Sequence, residues 1–228
     1  MNPEQRHSSA RARSGSAVAV PATAKAGDKI AAMADSEAEL QAPLLLIAMP
    51  QILDPFFHRS VVLLVHHDAE GSLGFIINRP TAISVSEILS GMEIEWNGDA
   101  DVVAHFGGPV QPQLGTVLFH PTGGNGEDPA ASAEVIPGVS LTQHVGTLSH
   151  LAVAPPSRFR LLLGYAGWGA GQLVQEILRN DWLTAPAAEG LVFARDPEEV
   201  WRQALESVGV DPGALPSWSP EVGDEGAN

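Results

Sequence analysis

The sequence predicts an α+β fold built around an antiparallel or mixed sheet. Three observations carry that prediction. Short apolar runs of strand length cluster from residue 44 onward, and helical spacing comes late in the chain. A polar turn, His67-Asp68-Ala69-Glu70, separates two of the apolar runs, as in an antiparallel hairpin.

Taken in order, residues 1–39 are rich in Ala, Ser and Gly and read as a disordered leader. An organellar transit peptide is the alternative, and Met33 is a candidate start. A single domain is expected over residues 40–216, followed by a flexible acidic tail at 217–228. Leu44-Leu45-Leu46-Ile47-Ala48 and the run at 60–65 are predicted buried strands, and 73–78 is the third, joined by a turn of about four residues. Ser84 is placed to cap a short helix beginning at Ser86. Two further strands are expected at 102–106 and 116–120. The loop at 121–131, with its glycines, prolines and acids, is expected to be mobile. Residues 140–152 are predicted helical, ended by Pro155-Pro156. A strand at 159–163, a glycine-rich turn at 164–171, a helix at 171–180 and a strand at 191–194 follow. Asp196-Pro197-Glu198-Glu199 opens the last helix, with Asp at the cap and acids near its positive end.

Composition excludes several chemistries. Residues 40–228 hold 7 basic and 22 acidic side chains and carry the whole formal charge of −15. Nucleic-acid affinity rests mainly on Lys and Arg contacts to phosphate, so direct DNA binding is disfavoured unless Arg59, Arg79, Arg158 and Arg160 form one patch. The lysines, Lys25 and Lys29, both lie in the leader, so the body offers no P-loop or Schiff-base lysine. With no cysteine there is no thiolate chemistry, and the cytoplasm suits the chain. No stretch approaches the roughly 18 apolar residues of a spanning helix.

Two regions concentrate polar signals. In the hairpin register, Arg59 falls opposite Asn78, bringing Asp54, Arg59, Asn78 and Arg79 to one rim. That rim is either an Asp54–Arg salt bridge or an anion clamp. The second region comprises Gly107 and Gly108 with Gly164-Tyr165-Ala166-Gly167-Trp168-Gly169-Ala170-Gly171-Gln172. Its glycines serve close packing, or bare backbone amides that hold a phosphate or carboxylate. Together these residues are the expected composite pocket. No catalytic residue, metal site or cofactor is expected. His66 and His67 point to opposite faces of a strand, His144 and His150 to different faces of a helix, and there is no G-x-S-x-G elbow. Gly167-x-Gly169-x-Gly171 also departs from the dinucleotide fingerprint.

The chain resembles the bacterial YqgE/AlgH family. The motifs are Leu44 to Pro50, Asp54-Pro55-Phe56-Phe57-His58-Arg59-Ser60, Asn78-Arg79-Pro80, Phe106-Gly107-Gly108-Pro109 and Leu163 to Trp168, across about residues 42–215. The resemblance implies an α+β fold with a barrel-like sheet, a cytoplasmic setting and no established enzyme activity, although members are often described as transcriptional regulators. Where relatives resemble Gly-Gln-Leu-Glu-x-Glu-Ile, this chain has Val174, which weakens any scheme needing two carboxylates there. The resulting expectation is a non-catalytic binding or regulatory protein that recognises a small anionic ligand or a protein partner. The alternatives are an enzyme acting on a phosphorylated or carboxylated metabolite and a direct DNA binder.

Overall fold

Alternation along the central strands explains why their apolar runs are unbroken. Leu45, Ile47, Val61, Leu63, Phe75 and Ile77 pack into one core, while Leu46, Ala48, Val62, Leu64 and Ile76 pack into a second. Successive side chains of a strand point to opposite faces, so a strand covered on both sides must be apolar throughout. The computed structural model describes residues 40–122 and 131–216. The expected leader, the acidic tail and most of the loop predicted mobile lie outside the described residues.

Among the described residues ten strands form one sheet: β1 (Leu44–Ala48), β2 (Val61–Asp68), β3 (Gly71–Ile76), β4 (Pro80–Ser84), β5 (Val103–Phe106), β6 (Val110–Phe119), β7 (Ala133–Ile136), β8 (Val139–Thr142), β9 (Phe159–Gly169) and β10 (Trp182–Ala185). The helices are α1 (Val85–Ser90), α2 (Val145–Val153), α3 (Gln172–Leu178), α4 (Glu189–Val192) and α5 (Pro197–Ser207). The main path runs β10-β1-β2-β3-β9-β6-β8-β7, and β4 joins through β5, which pairs with β9. Pairing is antiparallel except between β5 and β9. The fold is therefore α+β, with a curled sheet and helices on its faces.

α5 presents Val200, Trp201, Ala204 and Leu205 to the first core, and α3 presents Leu173 to the second. A third core joins α1 and α2 to β5, β6 and β9 through Leu89, Leu148, Ala104, Phe119 and Leu161. The predicted caps form: Ser84 accepts from the Glu87 amide, and Asp196 accepts from the Glu198 and Glu199 amides. No helix among the described residues is long and apolar enough to cross a membrane.

Four local expectations are corrected. The β2–β3 turn is tighter than four residues, because Asp68 pairs with Gly71 and its carboxylate accepts from the Glu70 and Gly71 amides. Residues 191–194 are not a strand: Leu191 and Val192 belong to α4, and a four-residue apolar run does not distinguish the two states. The helix predicted at 140–152 is observed as Val145–Val153, starting later because residues 139–142 pair with β6 and β7 as β8. The glycine-rich stretch is not a turn. β9 continues through it to Gly169, pairing with β3 and β6.

Candidate functional site

The loop between β1 and β2 is bound down from within and from below. Asp54 caps its own turn, its carboxylate accepting from the Phe56 amide at 2.8 Å. Asn78 sits beneath at 8% exposure, accepting from the Val61 amide at 2.8 Å and donating to the carbonyls of Arg59 at 2.9 Å and Pro197 at 3.1 Å. The expected meeting of Arg59 with Asn78 is observed through this side-chain bond, although the strand register differs from the expected one: His66 pairs with Leu73, and Gly71 with Asp68. Arg79 donates to the carbonyls of Pro55 at 3.2 Å and His58 at 2.6 Å. Arg59 pairs with Glu198 at 3.1 Å and lies 5.3 Å from the Trp201 ring. The Asp54–Arg salt bridge offered by the sequence does not form, because the nearer loop amides take the Asp54 carboxylate. These four residues form a strap fixed by internal partners.

The glycines of β9 pack. Gly164 has φ +71, and a Cβ there would lie 2.4 Å from the Gly108 carbonyl oxygen. On Gly108 a Cβ would meet the Tyr165 carbonyl carbon at 2.1 Å. Gly107 donates its amide to the Leu163 carbonyl at 2.8 Å, so two backbones cross where no side chain fits. Beyond this crossing, Gly169 donates to the Gln172 side chain, and Gly171 precedes α3. Glu176 accepts from both Trp168 and Trp182 at 2.9 Å and from Gln172 at 2.9 Å, and Phe57 packs against both indoles. Asp54, Gly167, Trp168 and Gln172 do share a recess of about 280 Å³, but Glu176 and Asp181 line it too, and Arg179 is paired with Asp181. The recess is acidic, and none of Arg59, Asn78 and Arg79 lines it. The expected composite pocket is therefore three neighbourhoods, since β9 carries its glycines along the sheet instead of ending at the rim.

A different cavity, of about 290 Å³, gathers cationic groups. Arg158 and Arg160 enter it from the start of β9, His105 from β5, Arg195 from the segment between α4 and α5, and Asp99 and Asp101 from the turn before β5. Pro80, Val102, Val103, Phe159 and Phe193 supply apolar wall. Arg160 is 5% exposed and donates to the carbonyls of Ile77 and, at 2.7 Å, Ala194. No carboxylate among the described residues pairs with it, and burial lowers its pKa to about 10. Burial, and then the Arg160 charge, push His105 down to about 3, so its ring is neutral near pH 7; its Nδ1 is buried without a partner. Arg158 pairs with Glu189, whose carboxyl that contact, reinforced by His120, holds below the usual range. Arg195 is exposed and makes no hydrogen bond or ion pair among the described residues.

Sequence reasoning set Arg158 and Arg160 only in a DNA-binding patch, and Arg160 is too buried to serve on a surface. It missed His105, Arg195, Asp99 and Asp101. The alternation of Arg158 and Arg160 at a strand start was the available signal; nothing local ties either to Arg195.

Known proteins resemble this chain over most of its body. An AlgH-like family model matches residues 45–213. A UPF0301 protein of Methylococcus capsulatus is 40% identical over 186 residues, covering 80% of this chain and 97% of the relative. One of Myxococcus xanthus is 39% identical, covering 76% and 94%. The solution structure of the AlgH protein from Pseudomonas aeruginosa superposes with a TM-score of 0.61 at 32% identity, covering 80% of this chain and 98% of that one. A crystal structure from Corynebacterium diphtheriae, at 22% identity and TM-score 0.61, shares the fold. The chain belongs to the AlgH-like, UPF0301 family, a family defined by sequence and fold and not by a reaction.

Proposed function

We propose that this protein is a non-catalytic, cytoplasmic binding and regulatory protein that recognises a small anion in the cleft of Arg158, Arg160 and Arg195. One observation carries the reading: the Arg160 guanidinium is buried at the cleft without a carboxylate partner. A buried charge is costly unless it is paired, and a bound anion supplies the missing partner. Arg195, exposed and unengaged, stands where an entering anion meets it. The cleft suits binding better than proton transfer, because guanidiniums keep their protons and the lowered pKa of His105 makes its ring a weak base. The strap of Arg59, Asn78 and Arg79 acts on this reading as framework.

A thermal-shift titration with inorganic phosphate, sulfate and citrate tests it. At about 100 times Kd a ligand adds about 2.7 kcal/mol, which raises Tm by roughly 5–10 °C in a domain of this size. The expected result is a rise that Arg195→Ala abolishes and Arg59→Ala leaves intact. No rise with any anion, or the same rise in Arg195→Ala, overturns the proposal.

A further inference from the structure

The cleft holds opposite charges that do not neutralise one another. Arg158 pairs with Glu189 outside the lining, Arg160 with carbonyls, and Arg195 with nothing among the described residues. Asp99 and Asp101 line the same cavity. Asp99 accepts from the Asp101 amide at 3.0 Å, which orders the turn, while the Asp101 carboxylate has no partner among the described residues. Unpaired cations and carboxylates lining one cavity set a field across it. A simple anion satisfies only half of that lining. A ligand with an anionic end and a hydroxyl-bearing end satisfies both.

Resting on the anion-binding reading, we infer that the cleft takes a ribonucleoside 5′-monophosphate, with the phosphate at the arginines, the ribose diol at Asp101 and Asp99, and the base along the apolar wall. Guanidinium forks match phosphate oxygens in pairs, and a phosphate dianion offsets the buried Arg160 charge better than a carboxylate does. A carboxylate takes two neighbouring hydroxyls as donors, the same chemistry by which acidic residues hold ribose at dinucleotide sites. Phe193, Pro80 and Phe159 offer flat or apolar surface to a planar ring. The volume of about 290 Å³ sits at the low end for ligand sites, which favours a single nucleotide over a dinucleotide.

Isothermal titration of the full chain with AMP, GMP, CMP and UMP tests this, set beside inorganic phosphate, the nucleosides and a 2′,3′-dideoxynucleoside monophosphate. At least one ribonucleotide should bind about tenfold or more tighter than phosphate or its nucleoside, and removal of the diol should cost about tenfold, since the two carboxylates lose those donors. Asp101→Asn should remove the diol preference and leave phosphate affinity unchanged, while Arg195→Ala should weaken both ligands. Circular dichroism confirms that each variant is folded. Equal binding of ribo- and dideoxynucleotides, or of phosphate and nucleotide, overturns the nucleotide assignment and leaves the anion cleft standing. Binding of zwitterionic amino acids in place of nucleotides also overturns it. No binding of any anion overturns both.

Discussion

Arg79 and Arg160 make the same kind of hydrogen bond, each donating to two backbone carbonyls, yet they stand in different electrostatic situations. Arg79 ties the Pro55 and His58 carbonyls of a surface loop, where water screens its charge. Arg160 ties Ile77 and Ala194 at 5% exposure, beside a cavity and without a carboxylate. Carbonyl dipoles satisfy a guanidinium's protons without cancelling its charge, so burial turns the same bonding pattern into an unbalanced one. An arginine count in an acidic chain therefore says little about binding. What matters is whether each charge is screened, paired or stranded.

The comparison breaks most visibly if the strap is not the rigid region. Asn78→Ala removes the acceptor for the Val61 amide and the donor for two carbonyls, so urea unfolding should show a loss of about 3 kcal/mol. A loss under about 1 kcal/mol would mean the strap is not held from below. Acid sensitivity sharpens the cleft side next. The folded pKa of His105 is about 3, against 6.5 in the unfolded chain, so between these values the unfolded state binds more protons and stability falls as pH falls. The slope should reach at most about 1.4 kcal/mol per pH unit, reduced where water at the cleft screens the ring. Asp68, Glu189 and Glu199, all lowered, lose stability in the same direction only below their ordinary values of 3.8 for Asp68 and 4.5 for the two glutamates. The window from about 4.5 to 6.5 thus isolates His105, and His105→Gln should flatten it; an unchanged slope places the titration elsewhere. Smallest is Arg59→Ala. Its ion pair with Glu198 is 45% and 70% exposed, so denaturant unfolding should register about 1 kcal/mol or less, its ring contact with Trp201 included. A larger loss would make the strap arginine as consequential as the buried one.

Much of the scaffold was legible. The β2–β3 pairing, the meeting of Arg59 with Asn78 and the caps at Ser84 and Asp196 all follow from local patterns whose partners lie near in sequence. β4, β7 and β10 were not read, because a strand of four or five residues on a sheet margin carries little periodicity. The glycines of β9 read as a turn because the reason for them, the backbone of residues 107–108 crossing close by, is remote in the chain. The cleft escaped for the same reason. Its lining comes from residues 80, 99–105, 157–160 and 193–195, and no spacing rule connects these segments.

By itself the chain determined its family, its two-sided apolar strands, its net acidity and the absence of thiol and body-lysine chemistry. Those properties depend on residue type and on neighbours a few positions away. Tertiary structure alone decided which arginine charges are matched, because desolvation and pairing depend on what folds against a group from distant parts of the chain.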